Sequence, residues 1–283
     1  MDLNNKKGYL FLVPALFVSM ILFLSSPAFS KDLIWGGCGI TKKAFMSELS
    51  KAYENKTGIK IHLKGGGATY GIRAVGIGRI DIGGSCRHKL KGDILEKNTR
   101  LIQVAWDALV VIVNKKNRIS NITTKQLKDI LLGKITNWKD VGGKDRPIKL
   151  VIRKSKINGV SFMLREMLFG DTNIDFRADA IVKKSSGPVE KFVEKDVDAI
   201  AVSGISSAKK RKGLKFLKLD GVAPTKKNII AGKYPYVRPL YLTVGPNPSK
   251  EVKDFIGYAL SDEGQSIISR QGTVSLKDLK KKK

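Results

Sequence analysis

The sequence predicts an α/β fold in which strands and helices alternate, and three observations carry the prediction. Short apolar runs of strand length alternate with stretches whose apolar residues recur at helical period. Glycine-bearing loops follow several of those runs where a helix is due to begin. One run, "DALVVIVN" (107–114), is apolar nearly throughout, as a strand covered on both faces must be.

Each element has its own justification. "DLIWGG" (32–37) reads as a short buried strand ending in glycines. "TKKAFMSELSKAYENKTG" places Phe45, Leu49, Ala52 and Tyr53 on one helical face and stops at Gly58, where a left-handed residue ends a helix at little cost. "IKIHL" alternates Ile59, Ile61 and Leu63, so the chain opens strand, helix, strand, the rhythm of a parallel sheet. "YGIRAVGIGRI" then predicts a short helix and "DIGGS" a strand end. In "ITTKQLKDILLG", Thr123 and Gln126 form a capping box and Gly133 a stop. "IKLVIR" (148–153) is a strand leading through a loop into the helix "SFMLREML", "PLYLTV" (239–244) is another strand, and "KEVKDFIGYALSDEGQSIISRQG" is a long amphipathic helix or helix pair.

Four glycine loops end strands: Gly36–Gly39, Gly65–Gly67, Gly83–Gly84 and Asn158–Gly159. In open α/β sheets such loops put helix N-termini and free amides at the carboxyl ends of strands, where they favour anions. Any one loop is explained by a tight turn, but four in register predict a binding crevice. The phosphate-cradling GxxxxGK[ST] loop of nucleotide hydrolases does not occur.

The first 30 residues have the plan of a secretory signal peptide, with Lys6 and Lys7 before an apolar run from Tyr9 to Leu24 and a small-residue stretch cut after Ser30. That run is shorter than the roughly 20 residues a spanning helix needs, and no cysteine stands at the cut for a lipid anchor. The chain carries 53 Lys+Arg against 25 Asp+Glu, a formal charge of +28. Removing residues 1–30, with Asp2, Lys6 and Lys7, leaves +27 on an exported protein. Spread charge of this kind attracts anions. Nucleic acid is disfavoured by the export signal and by basic runs such as "KKRKGLK" that lack interleaved aromatics.

Two stretches carry a family resemblance: "ISNITTKQLKDILLGKITNWKDVGG" (119–143) and "DGVAPTKKNIIAGKYPYVRPLYL" (220–242), supported by "AYENKTGIKIHLKGGG" and "GRIDIGGS". The chain resembles the periplasmic phosphate-binding proteins of phosphate ABC transporters, in the type II solute-binding superfamily, from about Leu33 to about Gln271. The resemblance implies a two-lobed periplasmic binding protein type II fold with a ligand cleft between the lobes. Lobe I would comprise residues 31–107 and 246–283 and lobe II residues 108–245, with crossovers near Asp107 to Asn114 and Tyr241 to Pro246. It also implies a monomer with no cofactor and no catalytic step, whose partners are phosphate or a related oxyanion and a membrane permease.

The resemblance assigns the anion-binding residues position by position. Arg153, ending "LVIR", falls where the family places its phosphate-pairing arginine, and a guanidinium fork suits oxyanions. Asn158, Gly159 and Ser161 substitute for a serine–glycine–threonine that follows in the family. The first loop has Ile40 where the family has a hydroxyl, with Thr41 adjacent; the second has Ala68 for serine, with Thr69 next. In the third, Ser85 is followed by Cys86 where the family has the aspartate that accepts the proton of hydrogen phosphate and repels sulfate. That departure loosens the choice of anion.

Cys38 and Cys86 are the only cysteines, and the resemblance puts them in the first and third anion loops. In an exported protein two cysteines are read first as a disulfide, here closing 48 residues and worth about 2–4 kcal/mol if unstrained. The competing reading is ligand contact: Arg87 and His88 would lower the thiol pKa, and Cys38, Cys86 and His88 would hold a soft metal or metalloid, with no fourth ligand apparent. An enzyme is disfavoured, because the glycine loops hold no paired carboxylates and no nucleophile–base set is visible. The functional alternatives are therefore an oxyanion-binding transport protein and a two-lobed sensor or interaction protein with altered ligand specificity.

Overall fold

β1 (Leu33–Gly37) runs into a continuous helical stretch made of α1 (Gly39–Thr41), a π turn at Lys42–Met46 and α2 (Ser47–Thr57). The computed structural model describes residues 31–280; the expected signal peptide and the last lysines lie outside the described residues. α2 buries Leu49 and Tyr53, and it stops at Gly58 with φ 75°, the left-handed C-cap expected there. β2 (Ile61–Lys64), α3 (Gly67–Gly76), β3 (Ile82–Ser85) and α4 (Ile94–Lys97) follow, then the 15-residue β4 (Arg100–Asn114). After β4 come β5 (Asn121–Ile122), α5 (Thr124–Leu132), a 3-10 turn at Trp138–Val141, β6 (Lys149–Arg153), α6 (Gly159–Phe169), β7 (Ile181–Lys183) and α7 (Ser186–Lys195). The chain ends through β8 (Ala199–Gly204), α8 (Ile205–Ala208), β9 (Leu214–Phe216), β10 (Lys218–Leu219), α9 (Lys226–Ile230), β11 (Val237–Val244), α10 (Lys250–Leu260), α11 (Asp262–Arg270), β12 (Val274–Ser275) and α12 (Leu276–Lys280). The capping box at Thr123 and Gln126 is formed and Gly133 closes α5 with φ 80°. The expected long helix is a pair, because Ser261 breaks it and caps α11 with its own hydroxyl.

The strands follow the path β2-β1-β3-β11-β4-β8-β6-β7. β2, β1 and β3 are parallel, as are β8, β6 and β7, which matches the rhythm read from the sequence. Between them lie β11 and β4, both antiparallel to their neighbours, so the sheet is mixed rather than wholly parallel. β4 belongs to two half-sheets at once. Its residues 100–108 pair with β11, and its residues 109–113 pair with β8. Its buried pattern is unbroken from Ala108 onward, since that half is covered on both faces. No described helix is long and apolar enough to cross a membrane.

Several glycines of the first three loops, Gly36, Gly37, Gly83 and Gly84 among them, have a packing reason beyond turning the chain. α3 lies so close on β1 and β3 that a Cβ at Gly83 would sit 2.0 Å from the Gly71 carbonyl oxygen and 2.1 Å from Thr243 Oγ1. Neither neighbour is the free end of a flexible side chain, so nothing can yield cheaply. The exposed Gly257 in α10 meets nothing within 4 Å. Gly83→Ala is therefore expected to lower the unfolding free energy by about 2–3 kcal/mol. Gly257→Ala should raise it by about 0.5–1 kcal/mol through helix propensity. Urea unfolding midpoints, compared at constant m-value, check both.

Candidate functional site

A cavity of about 360 Å3 opens where the carboxyl ends of the strands meet the helix N-termini. Its wall comes from loops far apart in sequence: Gly37–Ile40, Gly65–Gly67 and Cys86 on one side, and Arg153, Asn158–Val160 and Lys184–Gly187 on the other. A water's share of volume is about 30 Å3, so the space holds a tetrahedral oxyanion together with several waters. No carboxylate lines it among the described residues.

Three helices point uncapped N-termini at this space. α3 starts after Gly66, α6 after Asn158 and α7 after Ser185, and none of these N-cap residues caps its own helix with a side-chain hydrogen bond. Elsewhere the pattern is the opposite: Thr123, Thr225, Ser249 and Ser261 cap α5, α9, α10 and α11 with their side chains. First-turn amides without an internal partner, at the positive end of the helix dipole, need an acceptor. An anion in the cavity supplies it.

Arg153 ends β6 and is 6% exposed. Its Nη1 donates to the Val202 carbonyl at 2.8 Å, its Nη2 to Ser203 Oγ at 3.2 Å, and Nε and Nη2 both to Ser186 Oγ at 3.1 and 2.9 Å. These bonds use four of the five guanidinium N–H groups, which aims the side chain without exhausting it. Burial pulls its pKa down to about 10, which leaves it charged at neutral pH. Behind it, Ser203 Oγ donates to the buried Glu190 at 2.7 Å. Glu190 also receives Lys43 Nζ at 3.3 Å, Ser207 Oγ at 2.9 Å and Arg211 Nε at 3.2 Å. The carboxylate thus sits one hydroxyl away from the cavity, where it balances Arg153 without facing the ligand.

Both thiols line the cavity and both are free, so the expected disulfide is not formed in this structure. Cys38 N-caps α1, with its sulfur 3.4 Å from the Thr41 amide and 3.3 Å from Thr41 Oγ1. Burial alone would raise the Cys38 pKa, but hydrogen bonds from Cys86 and Thr41 and the Arg238 charge bring it down to about 7. Cys86 moves the other way, because its interaction with Cys38 and its burial both disfavour the thiolate. The cation that acts on the pair is Arg238. Arg87, the cation expected from the sequence, is spent on a two-pronged ion pair with Glu96 at 2.6 and 2.9 Å and on the Ile157 carbonyl at 2.9 Å. His88 turns away to Glu166 Oε1 at 3.1 Å, so it does not join the thiols. No group of three or more His, Cys, Asp or Glu is placed to hold a metal among the described residues.

The sequence-derived ligand set divides in two. Ile40, Cys86, Arg153, Asn158 and Gly159 line the cavity. Thr41, Ala68, Thr69, Ser85 and Ser161 do not, and they have other partners. Thr41 binds the Cys38 carbonyl at 2.9 Å, Thr69 the Ile157 carbonyl at 3.2 Å and Ser85 the Arg87 carbonyl at 2.7 Å. Ala68 is fully buried beneath Gly159, and Ser161 is buried inside the first turn of α6. The loop Lys184–Gly187 was missed. Its signal was legible as "SSGP" after the strand-like "IVK", a polar, glycine-bearing start to a helix.

Comparison with known proteins places this geometry. Residues 31–263 match the family model described as a PBP superfamily domain. The phosphate-binding protein PstS of Borreliella burgdorferi is 31% identical over 249 residues, covering 85% of this chain and 89% of its own. PstS of Bacillus subtilis is 28% identical, covering 89% and 83%. Among solved structures, one from Clostridium perfringens, assigned as a phosphate ABC transporter substrate-binding protein with phosphate bound, superposes with a TM-score of 0.79 at 26% identity. It covers 87% of this chain and 100% of that one. An ABC-type phosphate transport receptor from Vibrio cholerae gives 0.68 at 25% identity, again over 87% and 100%. With its uncapped helix starts, buried arginine and mixed two-part sheet, the chain belongs to the PBP superfamily, in the family of the PstS phosphate-binding proteins.

Proposed function

We propose that the protein is an extracytoplasmic solute-binding protein that captures an inorganic oxyanion, phosphate first, and passes it to the membrane permease of an ABC transporter. The observation that carries this reading is the convergence of three side-chain-uncapped helix N-termini and Arg153 on one cavity without carboxylates. Binding needs no chemical step, so the protein works as a receptor rather than an enzyme. The signal-like N-terminus supports export, with action as a monomer at the outer face of the membrane. The spread positive charge would speed anion arrival in a salt-dependent way.

The lobes are proposed to meet at β4 and β11. The pairing of β11 with β3 and with residues 100–108 of β4 supports a second crossing ahead of Val237, rather than at Tyr241 to Pro246, so lobe I would take β11 as well. Lobe I then supplies the amides around Gly37–Ile40 and Gly65–Gly67, and lobe II supplies Arg153, Asn158 and Ser185–Ser186. Closing the lobes would bring the two sets around the anion.

Calorimetric titration of refolded, ligand-stripped protein with phosphate, arsenate and sulfate tests the reading. Phosphate should bind, and Arg153→Ala should weaken it about 100-fold, the loss of a charge-assisted pair. Arg153→Lys should fall between, since it keeps charge without the fork. Absence of heat from all three anions would leave the two-lobed interaction protein as the better reading. A second outcome concerns Cys38. Its alkylation by iodoacetamide is expected to accelerate as pH rises through about 7, because the thiolate is the nucleophile. Bound phosphate should slow it at every pH; equal rates with and without phosphate would place the anion elsewhere.

A further inference from the structure

We propose that Cys38 and Cys86 form a dithiol site for a trivalent metalloid oxyacid, the class that includes arsenite. Both are free, buried thiols, and both line the cavity. The oxyanion reading draws on amides and Arg153, so it leaves the sulfur chemistry unexplained. The inference rests on that reading only so far as the cavity is a ligand site.

The fold brings the two cysteines to neighbouring loops at one cavity. β1 and β3 are parallel neighbours with Gly37 opposite Gly84, and the Cys38 amide donates to the Gly84 carbonyl at 3.1 Å. Cys86 follows two residues after Gly84 and lines the same cavity as Cys38. A Cβ at position 159 would lie 2.4 Å from Cys86 Sγ, so only glycine fits against that sulfur at the cavity wall. Arg238 Nη1 holds the Cys86 carbonyl at 3.2 Å, which pins the residue's backbone.

Adjacent sulfurs suit a pyramidal three-coordinate centre better than a tetrahedral metal, which needs donors that the described residues do not supply here. Arsenious acid, As(OH)3, is neutral at physiological pH and enters without anion recognition. Each thiol displaces one hydroxyl. Two As–S bonds form, two As–O bonds break, and the two thiol protons leave on the departing hydroxyls as two waters. Arsenic stays trivalent and no electron is transferred. The remaining hydroxyl faces the amides that would otherwise meet an oxyanion. Phosphate and sulfate undergo no such exchange, so one cavity would take two ligand classes by different bonds and in mutual exclusion.

Native mass spectrometry of the reduced full chain with arsenite tests the site, alongside phosphate calorimetry on the same sample. The expected adduct is a single arsenious acid less two waters, and arsenite should abolish the phosphate heat. Cys38→Ser and Cys86→Ser should each weaken capture about 100-fold, the loss of a two-point attachment. An adduct that keeps all its hydroxyls, or one indifferent to both substitutions, overturns the proposal. Phosphate heat with no arsenic adduct overturns it while sparing the transport reading. Silence in both measurements overturns the two together.

Discussion

The buried ion pair between Arg238 and Asp107 is the joint from which the site hangs. Arg238 lies on β11 and Asp107 on the adjacent β4, both fully buried, with Nη2 and Oδ2 2.9 Å apart. The guanidinium also binds the Cys86 carbonyl at 3.2 Å and the Gly159 carbonyl at 3.3 Å, so one side chain ties the third loop to the start of α6. Asp107 Oδ1 in turn receives the Ser206 amide at 3.0 Å and its hydroxyl at 2.7 Å, which fixes α8. Burial would lower the Arg238 pKa, but the neighbouring thiols and Asp107 raise it overall. A buried charge is tolerable only when paired and hydrogen-bonded. Removing either partner would strand the other at the point where both halves of the cavity meet.

Around that joint the protein separates structural charge from functional charge. Glu190 and Glu96 are fully buried, and each is committed to cations and donors outside the cavity wall. The cavity wall itself keeps Arg153, the exposed Lys184 and helix amides, and no carboxylate faces it among the described residues. The same economy appears in the caps. α5 and α10, away from the cavity, satisfy first-turn amides with their own Thr or Ser, whereas α3 and α6 at the cavity have no side-chain cap. Lys43 links the helical stretch after β1 to Glu190 on α7, and Arg87 links the third loop to Ile157. These bonds tie loops that are far apart in sequence.

The thiols set this chain apart at the point where anion chemistry is decided. A carboxylate in the third loop would accept a proton from hydrogen phosphate; a sulfur accepts weakly and carries charge only near neutral pH and above. Cys38, at the same cavity, has its pKa brought down to about 7 by hydrogen bonds and the Arg238 charge.

Periodicity and punctuation alone determined the elements. The alternation in "IKIHL", the capping box at Thr123 and Gln126 and the stop at Gly58 act within a few residues, so local chemistry decides them. The glycine loops and Arg153 were legible for the same reason, since a strand's end and a helix's start adjoin in sequence. Tertiary structure decided which side chains line the cavity. Thr41, Thr69 and Ser85 have suitable hydroxyls, yet backbone carbonyls claim them first. Arg87 is next to Cys86 in sequence but turns to Glu96, while Arg238, 152 positions away, becomes the neighbouring cation. Side-chain direction, long-range pairing and the division of β4 between two half-sheets depend on contacts between segments that sequence proximity does not encode.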